Sequence, residues 1–319
     1  MEIIEKTDST TNYDYGYKPE ERPIEKYLTQ GVINLDKPSG PTSHEVDSWV
    51  KHILETKKTG HSGTLDPKVT GILPIGTGMG TRVIQLLLLY PKEYVCLMKL
   101  HKKMPQEEVE EKFNEFTGKI FQIPPVKSAV KRELRVRTVY YSDIHEITDD
   151  EVLFRIGCQS GTYVRTYCHH IGEALGCGAH MEELRRTKVG PFNEQTKLTT
   201  LQDLTDAYYY YKHEDNESYI RNIISPMEEI VKGLPKIYIK DSTVGSICHG
   251  ANLAAGGIAK FTDNIKYDST VALMTLKGEI VASGKALHNS QALKDMESGI
   301  CVNVDNVYME RDIYPIMWK

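Results

Sequence analysis

An aspartate set among glycines is the first candidate for chemistry in this 319-residue chain. Asp66 stands in Gly60-His-Ser-Gly-Thr-Leu-Asp-Pro67, with Gly71, Gly76, Gly78 and Gly80 close behind. Glycine lets backbone approach a ligand closely, so a carboxylate in that setting suits nucleophilic or base work. Asp-Pro is also a common turn dipeptide, and the residue types alone leave both readings open. Gly76-Thr-Gly-Met-Gly80 has GxGxG rather than GxGxxG spacing, and GxxxxGK[ST] occurs nowhere, which argues against a nucleotide cradle. Cys168, His169, His170, Cys177 and His180 crowd a short segment but fit no zinc spacing, so no metal is expected. Lys127, Lys131, Arg132, Arg135 and Arg137 stand with one acid, Glu133. That run suits phosphate contact, and it equally suits a solvated basic strand.

Several elements must position these groups. The pattern predicts a strand over 31–35, a helix over 42–54 starting at Thr42 or Ser43, and a glycine-rich loop region over 60–80. Strands are expected over 94–100, 137–141 and 152–158, and a helix over 166–175 with its stop at Gly176. Strands and helices intersperse without a regular strand-helix repeat, which predicts a mixed α/β (α+β) layer with a largely antiparallel sheet. Beyond Gly233-Leu-Pro235, short runs at 236–240, 257–261, 270–275 and 279–283 predict a small β-barrel or sandwich. The first thirty residues, polar and carrying Pro19 and Pro23, read as an irregular arm. Four consecutive tyrosines open the stretch Tyr208 to Asp215, a surface helix and loop.

Hydrophobic residues make up 40% and charged residues 26%, ordinary globular composition with enough length for two domains or one with an appendage. Six cysteines without a CxxC pair fit a reducing compartment. The longest apolar run, 83–90, is far short of a bilayer span, and the N-terminus lacks signal-peptide regions, so a cytoplasmic protein with no membrane partner is expected. Net charge is −5, yet residues 201–230 hold two basic and seven acidic side chains and residues 1–30 hold four and seven, leaving +3 for the rest. Nucleic acid therefore stays open as a partner despite the acidic total. The segment 201–230 reads as a solvated surface or a docking face for a basic protein.

Five segments change the weight on Asp66. Lys37-Pro-Ser-Gly-Pro-Thr-Ser-His44, the Asp66 stretch, Gln122-Ile-Pro-Pro-Val-Lys-Ser-Ala-Val-Lys131, Gly161-Thr-Tyr-Val-Arg-Thr166 and Leu184-Arg-Arg-Thr-Lys-Val-Gly-Pro-Phe192 follow one another along the chain. In order and spacing they resemble the TruB family of pseudouridine synthases. Lys131-Arg-Glu-Leu-Arg-Val-Arg-Thr-Val-Tyr-Tyr141 is similar to the dyskerin-type branch. Cys248-His-Gly-Ala251, Met274-Thr-Leu-Lys-Gly-Glu279 and Gly284-Lys-Ala286 resemble its C-terminal PUA domain. Eukaryotic members carry a lysine-rich tail, and the end Tyr314-Pro-Ile-Met-Trp-Lys319 is closer to the archaeal form; a eukaryotic member would be nucleolar.

The resemblance implies an arm over 1–30, a catalytic domain over 31–233 and a PUA domain over 234–319. It implies that Asp66 does the covalent work, that Arg165 orients it and keeps it ionised, and that Tyr94 stacks on a flipped base. Strand tyrosines otherwise pack on a core. Tyr163 and Leu184 would line the pocket floor, Lys37 and Pro38 would brace the loop, and His61 would help displace the base, as extrusion before chemistry requires. Lys127, Lys131, Arg132, Arg135, Arg137, His249 and Gly250 would meet RNA. The implied substrate is ribosomal RNA selected by a box H/ACA guide RNA, with small accessory proteins and no cofactor. Competing readings are a guide-free tRNA T-loop enzyme, a non-catalytic RNA scaffold, and a small-molecule phosphotransferase.

Overall fold

The computed structural model describes residues 1–124 and 131–316. The chain divides into two compact units, one of Ile33–Ile75 and Ile84–Ile223, the other of Met1–Val32, Gly76–Val83 and Ile224 onward.

The first is built on a mixed sheet. Its strands are β1 (Gly31–Lys37), β2 (Thr59–His61), β3 (Thr70–Thr77), β4 (Lys92–Leu100), β5 (Gly118–Gln122), β6 (Arg135–Thr148), β7 (Glu151–Cys158) and β8 (Ala179–Val189). They run in the order β1-β3-β8-β4-β7-β6-β5, with β2 against β3. Pairings from β8 through β5 are antiparallel, while β3 lies parallel to β8. The mixed, largely antiparallel layer expected from the sequence is therefore present. Its helices are α1 (Ser43–Ile53), α2 (Gln106–Glu115), α3 (Val164–Ala174), α4 (Leu201–Glu214) and α5 (Glu217–Ile223).

Local sequence explains these elements. Thr42 and Glu45 close a capping box at the start of α1, and Lys51 and His52 face its negative end. Along β4, Cys96, Met98 and Leu100 are buried at alternate positions, the period of a pleated strand. On α3, Val164, Tyr167, Cys168 and Ile171 are buried at helical spacing, which leaves Arg165 on the other face. A Cβ on Gly172 would come within 2.1 Å of the Ala179 nitrogen, so glycine is what lets α3 approach β8.

Within the stretch 60–80, expected as loop, residues Thr70–Thr77 instead form a strand, almost wholly buried. Glycine content pointed to a loop, but a strand covered on both faces needs apolar Ile72, Leu73 and Ile75, and glycine where a neighbouring backbone passes. Gly71 has φ +98, and a Cβ there would stand 2.2 Å from the Arg186 carbonyl oxygen.

The other unit holds β9 (Lys236–Ile239), α6 (Asp241–Cys248), β10 (Ile258–Thr262), β11 (Thr270–Met274), β12 (Ile280–Ala286) and β13 (Ile300–Val307). Its seven-stranded sheet runs from Ile3–Glu5 through β10, β9, β11, β12 and β13 to Leu253–Ala254 around one apolar core. The arm expected to be irregular thus supplies an edge strand, and Ile24–Thr29 forms a helix. Its order comes from distant partners that leave no local period: Lys6 Nζ donates to the Leu293 and Met296 carbonyls at 2.6 and 2.7 Å, and buried Arg22 grips Glu228 through both oxygens. Among the described residues no helix is long and apolar enough to cross a membrane.

Candidate active site

Asp66 sits on a turn closed by its own carbonyl, which accepts the Val69 N–H at 3.0 Å. Three anchors hold that turn. Leu65 N–H donates to Ser43 Oγ at 2.9 Å, and the same hydroxyl donates back to the Leu65 carbonyl at 3.0 Å. Fully buried Lys37 directs its ammonium to the carbonyls of Pro38, Pro67 and Val69 at 2.8, 2.9 and 3.0 Å. Gly40 N–H donates to the Pro67 carbonyl at 3.0 Å. Burial lowers the Lys37 pKa, and its hydrogen bonds go to three neutral carbonyls, so this lysine is part of the loop's frame.

Against this framed carboxylate comes Arg165, from the first turn of α3, in an ion pair with Asp66 Oδ2. Both side chains are about half exposed, 53% for Asp66 and 48% for Arg165, so the pair lies open to an incoming ligand. The turn before α3 is fixed by Gln122, whose Oε1 accepts the Tyr163 N–H at 3.0 Å while its Nε2 donates to the Tyr163 carbonyl at 3.1 Å. Tyr163 is the helix N-cap residue, without a capping bond from its side chain.

Tyr94 lies half-buried on β4, opposite Arg186 of β8 and packed with Leu184 on the core. Burial raises the Tyr94 pKa, and the Arg186 guanidinium opposes that rise by charge and hydrogen bonding. Arg186 is 1% exposed. His61 packs its ring 5.0 Å from that of His44, and among the described residues both its ring nitrogens are buried without a hydrogen-bond partner. Burial first, then the charges of His44 and Arg186, bring its pKa down to about 4. The imidazole is therefore neutral at physiological pH.

The structure thus brings Lys37, Pro38, Asp66 and Arg165 together, and places Tyr94, Tyr163, Leu184 and His61 in the same unit. Of the basic run, Lys131 and Arg132 are exposed, with Lys131 paired to Glu133 and Arg132 Nε donating to the Pro124 carbonyl at 3.2 Å. Arg135 donates to the Lys131 carbonyl at 3.2 Å, and Arg137 donates to the Gly161 carbonyl at 3.3 Å. Lys127 lies outside the described residues. His249 and Gly250 belong to the other unit, where His249 caps α6 with Nδ1 2.8 Å from the Gly245 carbonyl and Gly250 adopts φ +94. The cysteines and histidines of 168–180 take separate neighbours: Cys168 contacts Cys96, His169 pairs with Glu173, and His180 meets His101 and Glu182.

Sequence reading missed Ser43, Gln122 and Arg186. Each lies in or beside a quoted segment, but a serine, a glutamine and a strand arginine give no local signal of burial. The acidic segment also acquires structural roles: Asp203 caps α4 with Thr200, and Glu217 pairs with Arg221 at 2.8 Å.

Residues 51–164 match the TruB family pseudouridylate synthase N-terminal domain, and 165–232 match the tRNA pseudouridylate synthase B C-terminal domain. Residues 1–47 match the DKCLD (NUC011) domain, and 235–308 match the PUA domain. The chain is 56% identical over 317 residues to a Methanothermobacter thermautotrophicus protein named "Probable tRNA pseudouridine synthase B", covering 99% of this chain and 98% of that one. A Pyrococcus furiosus protein of the same name is 53% identical over 317 residues, covering 99% and 93%. Among solved structures, a chain of a Cbf5-Nop10-Gar1 complex is similar at TM-score 0.93 with 53% identity, covering 98% of this chain and 96% of that one. A chain of an H/ACA RNP bound to a substrate RNA containing 2'-deoxyuridine is similar at TM-score 0.92 with 51% identity, covering 99% and 97%.

Proposed function

The chain belongs to the TruB family of pseudouridylate synthases, and from that premise we propose that it isomerises uridine in RNA as the catalytic subunit of an H/ACA guide-RNA ribonucleoprotein. The observation that carries the chemistry is the framed Asp66 carboxylate under the Arg165 guanidinium. An adjacent guanidinium favours the ionised carboxylate and fixes its direction, which a nucleophile or base requires.

In the reaction the bond from uracil N1 to ribose C1′ breaks and a bond from C5 to C1′ forms. The C5 proton is lost and N1 gains one, so the product is an isomer and no electrons leave. Asp66 acts at the sugar or base, Arg165 orients it, and Tyr94 stacks on the extruded uracil with Leu184 and Tyr163 beneath. His61, uncharged, fills the space the base vacates. Lys37 and Pro38 act through the loop. Lys131, Arg132, Arg135 and Arg137, with Lys127, meet the RNA backbone. Residues 31–233 carry the chemistry, while 234–319 with the arm 1–30 hold the guide through a surface that includes His249 and Gly250. Small accessory proteins complete the particle, which works on ribosomal RNA in the cytoplasm.

The DKCLD match and the structural relative from an H/ACA RNP bound to substrate RNA support guided action. Reconstitution with a guide, a complementary ribosomal RNA fragment and accessory proteins is expected to give pseudouridine that disappears with Asp66→Asn. Undiminished product from Asp66→Asn overturns the chemistry. Efficient conversion of bare tRNA, with no gain on guided RNA, would favour the guide-free reading that the curated relatives' names carry.

A further inference from the structure

Arg186 is the buried charge that the reaction as described leaves without a task. It is 1% exposed, and among the described residues its guanidinium donates to two carbonyls rather than to a carboxylate, with Tyr94 beside it on the neighbouring strand. Nε donates to the Ile72 carbonyl at 2.7 Å and the second terminal nitrogen donates to the Gly63 carbonyl at 3.1 Å. Gly63 lies before Asp66 in the chain and Ile72 after it, so one guanidinium ties both flanks of the segment that carries the carboxylate. A buried, carboxylate-free guanidinium is costly, and such groups concentrate where a site needs them.

Its third neighbour is Tyr94. The two residues are register partners on β4 and β8, where the ladder shifts between Glu93 and Tyr94. Two glycines in the left-handed region let the segment pack on Arg186: Gly63 at φ +81, where a Cβ would stand 3.3 Å from the guanidinium, and Gly71 at φ +98, which lies against the Arg186 backbone. We propose that Arg186 is a positioning residue for the reaction, holding the Tyr94 phenol and both flanks of the Asp66 segment in one geometry from within the sheet. The proposal rests on the functional reading above and adds a residue to it.

Position and charge act together. The guanidinium draws the Tyr94 phenol toward its anionic form, against the larger effect of burial. The other titratable groups at this place are Cys158, Lys92 and His61. Lys92, whose pKa burial and Arg186 lower to about 8, gives its ammonium to the Leu87 and Tyr90 carbonyls and Ser160 Oγ.

The test uses the reconstituted particle, single-turnover pseudouridine formation and its pH dependence, with wild type and Asp66→Asn as references. Arg186→Gln keeps a donor and loses the charge, while Arg186→Lys keeps the charge and loses the fork. Arg186→Gln is expected to slow turnover on the order of 30-fold or more with RNA affinity within about 3-fold of wild type, a loss of transition-state rather than ground-state binding. Its basic limb should move to higher pH, and Arg186→Lys should recover part of the rate. In a Tyr94→Phe background, Arg186→Lys should cost less than about 3-fold, because coupled residues are not additive. An unmoved pH profile together with additive losses would overturn the proposal, as would both variants failing to fold, since a purely structural clamp then suffices. If wild type makes no pseudouridine, or Asp66→Asn makes as much, the functional reading itself fails. An active wild type with unmoved Arg186 variants sinks only this inference.

Discussion

Replacing Lys37 by methionine keeps the length of a fully buried side chain and removes its charge and donors. Three carbonyl partners at 2.8, 2.9 and 3.0 Å then change state. Pro67 keeps its bond from Gly40 N–H, so the carbonyls of Pro38 and Val69 are the ones left short. The buried Val69 carbonyl without a donor costs about 1–3 kcal/mol, whereas exposed Pro38 can turn its carbonyl to water. Relief from burying an ammonium offsets part of that, leaving a net loss of about 1 kcal/mol. Urea denaturation of the protein should read that loss as a lower midpoint with unchanged slope. Activity should fall further than stability suggests, because Asp66 directly precedes Pro67 and a shift of about 1 Å at a reacting group can cost on the order of 100-fold. RNA affinity should stay within about twofold, since a side chain with 0% exposure cannot meet the backbone of a ligand. The reasoning is refuted if the variant is equally stable and turns over at wild-type rate. A large loss of RNA affinity with turnover intact would refute it too, by making Lys37 a substrate contact.

Three further outcomes follow from the same structure. Arg165→Ala should leave the melting temperature within a few degrees, because an open ion pair is worth at most about 1 kcal/mol, yet reduce turnover by about 100-fold or more; comparable losses in both would contradict the assignment. Acidification should destabilise the fold between pH 6.5 and about 4, since unfolded His61 binds a proton at a pH where the buried ring does not. The full effect is about 3 kcal/mol, and it should shrink in His61→Phe when stability is measured across that range; an identical pH slope in the two proteins would rule the linkage out. Gly71→Ala places a Cβ 2.2 Å from the Arg186 carbonyl at φ +98, and should cost about 3 kcal/mol or more by chemical denaturation, whereas a loss below about 0.5 kcal/mol would show that the two strands separate readily.

Legibility divided along physical lines. The helix α1 was readable because its cap, apolar stripe and basic end are all local. The strands β4 and β7 were readable for the same reason, through alternation. Asp66 and Arg165 were named from sequence by family resemblance, and the structure joins them across about a hundred residues. The strand β3 looks like loop in the sequence because its glycines answer to neighbouring backbone, Gly71 to that of β8 and Gly76 to that of Gly80 and Thr81. Ile3–Glu5 was misread as irregular because three residues gain strand form only from β10, more than 250 positions later.

By itself, then, the sequence determined which residue types could do chemistry, the elements with a local period, and the change of character near Gly233. Tertiary structure alone decided that Lys37 frames the Asp66 loop, that His61 is neutral, and that Arg186 lies buried between the Asp66 segment and Tyr94. The reason is that burial and partnership of a polar group depend on which distant strands close over it, and the one-dimensional pattern around a lysine, histidine or arginine carries no record of that closure.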